Sequence, residues 1–220
     1  MKFLKRIIPS YSIIPALSIA VVGFLVYFAT KMITDGGHHY DISLPIDHKF
    51  PFIPVFVIFY ILSYVQWVTG YLTIAREEEN FALRAISAEI IAKFICLAIF
   101  LILPTTMARP EIVGNDIFSK LTGLIYSADT PTNLFPSIHC LESWIIFRTS
   151  FGLKRVGRWI TPVYAVFALL VFLTVLFIRQ HLILDIPAGI MVGELSLYIS
   201  RRFKTERVFK KLNSRFIRKG

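Results

Sequence analysis

Cysteine is scarce in this chain of 220 residues, which has two, Cys96 and Cys140. Both lie in or beside apolar runs, so they are expected to be small buried side chains and not a disulfide pair. The sequence also lacks internal repeats and low-complexity linkers, which excludes a repeat array and a set of flexibly joined domains. We therefore predict a single domain over residues 1–220.

Acidic residues are few as well, with 14 against 24 lysines and arginines and a net charge of +10. In a soluble protein, this excess of positive charge would indicate a nucleic-acid partner. Here the basic residues flank apolar runs, and membrane orientation and lipid headgroups explain them better. No nucleic-acid partner is expected, and the sequence is silent on oligomeric state.

Long apolar runs are abundant, since 55% of the residues are hydrophobic and the mean hydropathy is +0.65. Each run is close to the roughly 20 residues that cross a hydrocarbon core of about 30 Å. We predict an all-α, polytopic membrane protein with a bundle of six transmembrane helices. The predicted spans are residues 13–33, 52–75, 81–103, 137–151, 159–178 and 182–200.

The lysines and arginines predict how these spans are oriented. Seventeen of them fall on the side that holds both termini, five fall on the opposite side, and two lie within spans. The positive-inside rule then places both termini in the cytoplasm of a multi-pass cell-membrane protein. Residues 201–220 form a basic cytoplasmic tail, which either lies on anionic lipid or is a solvated orientation signal.

Two polar residues open the last predicted span, in the stretch "RQHLILDIPAG". His181 and Asp185 are four residues apart, so on a helix they would share one face. A carboxylate beside an imidazole fixes its tautomer and raises its basicity. The pair is either catalytic or a structural link between helices.

A second histidine opens the fourth predicted span, in "TNLFPSIHC". Pro136 suits the first turn of a helix, and Asn133 or Thr132 is the expected cap. Free N–H groups from Ser137 onward would then form an anion site. His139 would be placed to donate a proton to the bound anion, or it is an interfacial histidine at an ordinary helix start.

Two more side chains are predicted at the same end of the bundle. Arg109 follows the third span in "PTTMARPEI", where its guanidinium suits phosphate oxygens or snorkels to water. Glu142 lies three residues after His139, so it either faces the same site, where it would tune His139 or contact substrate, or pairs with a neighbouring helix.

The motifs "ARP", "PSIH" and "HLILD" together resemble the type 2 phosphatidic acid phosphatase superfamily, whose motifs are Lys-x6-Arg-Pro, Pro-Ser-Gly-His and Ser-Arg-x5-His-x3-Asp. The resemblance covers about residues 105–193. It implies a six-span α-helical fold, an extracytoplasmic active site and chemistry that uses no metal or cofactor.

Residue roles follow from the same resemblance. His181 would be the nucleophile that forms a phosphohistidine, and Asp185 would orient it. His139 would be the general acid and then the base. Arg109 would hold the phosphate with the help of Ser137.

The chain also departs from the superfamily pattern. Ile102 stands where the first motif has lysine, Ile138 replaces the glycine of the second, and residues 174–175 lack the Ser-Arg pair of the third. Arg179 is the candidate replacement for that arginine as a phosphate ligand. These departures indicate a divergent branch with features of the sphingomyelin and inositol phosphorylceramide synthases, which share the His…His-x3-Asp core.

The predicted function is hydrolysis of a lipid phosphate monoester or diphosphate at the extracytoplasmic face. One alternative is a lipid phosphotransferase of the inositol phosphorylceramide or sphingomyelin synthase kind. Another is a non-catalytic transporter or scaffold whose histidines relay protons.

The first outer loop offers a separate hypothesis. Its histidines and aspartates are ligand types for a metal, although a solvated loop explains them better. They are His38, His39, Asp41, Asp47 and His48.

Overall fold

The computed structural model describes residues 9–216, which are mostly helical, as predicted. The α-helices of this part of the chain are α1 Ser10–Thr34, α2 Val57–Ala75, α3 Glu79–Ile102, α4 Ile117–Ala128, α5 Ile138–Ser150, α6 Ile160–Phe177, α7 Asp185–Phe203 and α8 Glu206–Phe216. Two-residue strands, β1 Tyr40–Asp41 and β2 Thr105–Thr106, pair in parallel. Short 3-10 turns lie at Asp47–Lys49 and Pro54–Phe56. The ends of the predicted domain, residues 1–8 and 217–220, lie outside the described residues.

Acceptor side chains begin several of these helices, among them α3 and α4. Glu78 accepts from the N–H groups of Asn80 and Phe81 at the start of α3, and Asp116 accepts from two N–H groups at the start of α4. Such caps satisfy donors that have no partner within the helix. These caps fix the residue at which each helix begins, at the end of a polar loop.

Of the helices described in residues 9–216, four are long and apolar enough to cross a membrane: α1, α2 with the turn before it, α3 and α6. The fourth and sixth predicted spans correspond to α5 and α7. With 13 residues, α5 extends about 20 Å, less than a hydrocarbon core of about 30 Å. Charged side chains interrupt the apolar character of α7, at Asp185, Glu194, Arg201 and Arg202.

Helix α5 lies at the centre of the bundle, packed against α2, α3, α6 and α7. Its side chains Leu141, Ile145 and Ile146 are buried to 1% exposure or less. Protein surrounds this helix, so its shortness and its polar residues do not expose unsatisfied groups to lipid.

Gly189, which has no side chain, allows helix α7 to approach α5 closely. A Cβ at Gly189 would lie 2.7 Å from the carbonyl oxygen of Ser137, a distance that no side chain tolerates. The Ser137 N–H donates to the carbonyl oxygen of Asp185 at 3.2 Å. Small residues allow two helix backbones to meet in this way. As a result, the N-terminal ends of α5 and α7 lie side by side.

The basic tail forms helix α8 over most of its described length. Phe209 packs against Leu83 and Ile86 of α3, while Arg207, Lys210 and Lys211 remain exposed. This arrangement suits a helix with one apolar face on the bundle and one charged face toward its surroundings.

Candidate active site

His181 and Asp185 form a pair, although not on one helix face as the spacing predicted. His181 lies in the turn before α7, and the helix begins at Asp185. The Nδ1 atom of His181 is nonetheless 3.0 Å from Oδ2 of Asp185, which also accepts from the Leu182 N–H at 2.9 Å. The carboxylate is fully buried. Because it holds Nδ1, the Nε2 atom of His181 is the nitrogen left for chemistry.

The cap of α5 is Ser137, and the predicted caps Asn133 and Thr132 are wrong. The Ser137 hydroxyl accepts from the Cys140 N–H at 3.3 Å. Its own N–H is bound to the Asp185 carbonyl, so it is not a free donor for an anion. Asn133 is not needed as a cap, because the Ser137 hydroxyl already accepts from the Cys140 N–H in the first turn of α5.

His139, in the first turn of α5, faces His181. The two ring centroids are 5.8 Å apart, with the planes inclined at 58°. The Tyr64 hydroxyl lies 3.3 Å from Nε2 of His139, and the rings of Tyr60 and Trp67 lie 4.4 and 5.0 Å away. Three aromatic residues of α2 thus hold His139, and both imidazoles are within reach of one phosphoryl group.

Arg109 reaches this site through Gln180. Its guanidinium donates to the Gln180 side-chain oxygen and to the Asp129 carbonyl, and it lies 4.4 Å above the Tyr126 ring. Burial lowers the pKa of the Arg109 guanidinium from its ordinary value, yet arginine stays charged at any ordinary pH. Gln180, beside His181 in sequence, is 1% exposed. Sequence reasoning missed this amide because no motif contains it.

Arg179, the other predicted phosphate ligand, is directed elsewhere. It donates to the carbonyl oxygen of Asp47 in the loop between α1 and α2, which the sequence predicts to be the first outer loop. The Asp47 carboxylate is buried and accepts from the N–H groups of Ile183 and Leu44 at 2.7 and 2.8 Å. The outer loop therefore fastens the turn that carries His181, and Arg179 serves this contact.

The same contacts bear on the metal hypothesis for the outer loop. Asp41 accepts from Ser43, and His38 packs edge-on against Tyr40. Within residues 9–216, no three His, Cys, Asp or Glu side chains converge as a metal site requires. The five loop residues do not gather at one point, and Asp47 is buried against the turn before α7.

The two histidines open into one cavity of about 330 Å³, here called the histidine cavity. Its lining includes His139 and His181, together with the charged side chains of Lys31, Lys93 and Glu142. Glu142 lines this cavity and also pairs with Lys93 of the neighbouring helix α3.

Lys93 sits in a buried charge cluster with Glu142 and Glu89. Its Nζ atom contacts a carboxylate oxygen of Glu142 and lies 3.2 Å from Oε1 of Glu89. Tyr71 donates to the other oxygen of Glu89 at 2.6 Å. The three charged residues are 0–6% exposed. Two members of the cluster could be predicted from the sequence, since Glu89 and Lys93 are four residues apart within an apolar span.

A second cavity of about 400 Å³, here called the lateral groove, separates α1 from α2. Ala16, Ile19, Ala20 and Gly23 form its α1 wall, and mostly aromatic and aliphatic side chains form its α2 wall. The lateral groove and the histidine cavity share five lining residues: Gly23, Tyr64, Trp67, Lys93 and Glu142. Trp67 and Tyr71 of α2 line this groove.

Comparison of the chain with family models, with curated proteins and with solved structures finds no match. The resemblance to type 2 phosphatidic acid phosphatases therefore remains a hypothesis based on three short motifs and their order.

Proposed function

We propose that this protein is an integral membrane phosphatase that hydrolyses a lipid phosphate monoester or diphosphate through a phosphohistidine. The observation that carries the proposal is the pairing of His139 and His181 in one cavity, with Asp185 bound to the far nitrogen of His181. A nucleophile held by a base or carboxylate and faced by a second proton-transfer group is the arrangement of covalent catalysis.

In the first step, Nε2 of His181 attacks phosphorus and the bond from phosphorus to the ester oxygen breaks. Protonated His139 gives its proton to the departing oxygen, so the lipid leaves as an alcohol or, from a diphosphate, as a monophosphate. Asp185 stabilises the positive charge that develops on the imidazole of His181, as a buried carboxylate does for a catalytic histidine.

In the second step, neutral His139 takes a proton from water while the water oxygen attacks the phosphohistidine. The nitrogen–phosphorus bond breaks, inorganic phosphate leaves, and both histidines return to their starting states. Proton transfer by a positioned residue accounts for roughly 10²–10⁴-fold in rate.

The lateral groove supports a lipid as the substrate. It is lined largely by carbon atoms and is continuous with the histidine cavity at Lys93 and Glu142. A hydrocarbon chain lying between α1 and α2 would place its phosphate beside the histidines, and burial of each methylene favours binding by about 0.8 kcal/mol.

The charge distribution supports an extracytoplasmic site in a multi-pass cell-membrane protein with cytoplasmic termini. All catalytic candidates gather at the end of the bundle that has five of the lysines and arginines, and seventeen lie on the other side.

The decisive experiment incubates purified protein in detergent with phosphatidate, phosphatidylglycerol phosphate and polyprenyl diphosphate. Inorganic phosphate and lipid products are measured together, with and without EDTA. We expect phosphate release that survives EDTA and disappears in His181→Ala. His48→Ala is the matched control, because His48 is an exposed histidine of the outer loop.

Other products would identify the alternatives. Headgroup transfer to a second lipid or an added alcohol would establish a phosphotransferase. Loss of activity on chelation with rescue by Mg²⁺ or Zn²⁺ would refute the two-histidine mechanism. Absence of turnover on every lipid phosphate would favour a transporter or scaffold.

A further inference from the structure

Lys31 places an uncommitted positive charge in the histidine cavity. It lies in the last turn of α1, and its side chain lines the cavity together with His139 and His181. Among the residues that the structure describes, no hydrogen bond or ion pair engages its ammonium group. A free ammonium inside a concave site is a ready donor for an anion.

The other charges around the cavity already have partners. Lys93 is paired with Glu142, and the Asp129 carboxylate accepts from the Tyr27 hydroxyl at 3.0 Å. The Arg109 guanidinium, just outside the lining, donates to Gln180 and to the Asp129 carbonyl. Of the lysine side chains in the described lining, that of Lys31 is therefore the one left for a ligand.

We infer that Lys31 binds the phosphate oxygens of the substrate, as the direct cation of the site. The inference rests on the proposed function and names the group that neutralises the phosphate. A phosphate brings one or two negative charges into a cavity whose other cations are engaged, so desolvation would oppose binding unless a cation met it. The flexible stem of lysine lets its three donors follow the phosphoryl group from the ester to the phosphohistidine.

The test measures binding of inorganic phosphate directly, so that it does not depend on turnover. Thermal stabilisation of the purified protein is titrated with phosphate and, at equal ionic strength, with chloride. A ligand that binds the folded state alone raises its stability in proportion to the logarithm of its concentration over Kd. Lys31→Met and Lys31→Arg are compared with Lys120→Met, which removes an exposed lysine of α4 that does not line the cavity.

We expect phosphate, and not chloride, to stabilise the wild-type protein. Loss of a hydrogen bond to a charged group, worth roughly 1.5–3 kcal/mol, should weaken phosphate binding about tenfold to a hundredfold in Lys31→Met. Lys31→Arg should retain most of the affinity, and Lys120→Met should match the wild type.

Three results would overturn the assignment: no phosphate-specific stabilisation of the wild type, an unchanged phosphate affinity in Lys31→Met, or an equal loss in Lys120→Met. Its failure is distinguishable from failure of the proposed function. Turnover with unchanged phosphate affinity in Lys31→Met would refute the role of Lys31 alone, whereas Lys31-dependent phosphate binding without turnover would refute the phosphatase alone.

Discussion

Replacing Lys93 with methionine would leave two carboxylates buried at the centre of the bundle without their cation. Glu89 and Glu142 are 0% and 6% exposed, and both contact the Lys93 ammonium. Breaking a buried ion pair by removing one partner costs roughly 3–5 kcal/mol. For a chain of this size, about 2–4 °C is lost per kcal/mol, so the melting temperature should fall by roughly 6–20 °C.

The assay is thermal unfolding of the detergent-solubilised protein, followed for Lys93→Met and for a variant that also carries Glu89→Gln and Glu142→Gln. We expect the triple variant to recover most of the lost stability, because neutral amides need no cation. Arg148→Met is the control. Arg148 of α5 is paired with Glu194 of α7, and their side chains are 33% and 42% exposed. Ion pairs open to water contribute about 0–1 kcal/mol.

The reasoning would be refuted if Lys93→Met melted as the wild type does, or if the triple variant were no more stable than the single one. Either outcome would mean that the two carboxylates can be protonated or hydrated without loss of folding stability. The Lys93 ammonium would then not be required to stabilise them.

Further tests address mechanism, substrate and topology. His181→Ala should abolish the acid-labile phosphoenzyme, whereas His139→Ala should slow turnover by roughly 10²–10⁴-fold while an adduct still forms from substrates with good leaving groups; an adduct persisting in His181→Ala would assign the wrong nucleophile. Ala20→Phe should fill the lateral groove and raise KM for long-chain lipid phosphates about tenfold, with little change for short-chain esters. This is the effect expected if two methylenes of the lipid chain stay unburied, at roughly 0.8 kcal/mol each. An equal effect on both would argue against a chain in the groove. A cysteine at position 120 should react with an impermeant thiol reagent in intact cells and one at position 154 should not; the reverse pattern would invert the topology.

Much of the fold is predictable because apolar runs long enough to cross a membrane have few competing explanations. The bounds predicted for the first three spans lie within a few residues of α1, α2 and α3. The prediction is less complete for α5, because hydropathy reports the preference of a segment for lipid. A short helix enclosed by other helices needs no such preference, and Glu142 and Arg148 are tolerated within it.

Part of the candidate site follows from spacing, and part does not. His181 and Asp185 meet as expected even though the assumed helix is absent, because four residues of turn also bring the two side chains together. Gln180 and Lys31 belong to no motif, and their places depend on how α1 and the turn before α7 pack. Ala16 and Ala20 line the lateral groove, and no motif in the sequence marks them as part of a site.

The glycine contact between α5 and α7 makes the distance between the histidines a property of the main chain. At Gly189 the two backbones touch, and a backbone hydrogen bond joins Ser137 to Asp185. The walls of the lateral groove belong largely to other helices, α1 and α2. Residues of the α1 wall, such as Ala16 and Ala20, can therefore be exchanged for larger or smaller ones without disturbing the reacting groups, whereas Tyr64 and Trp67 of α2 also contact His139. Changes on α1 alone could then fit the same pair of histidines to lipids of different chain length.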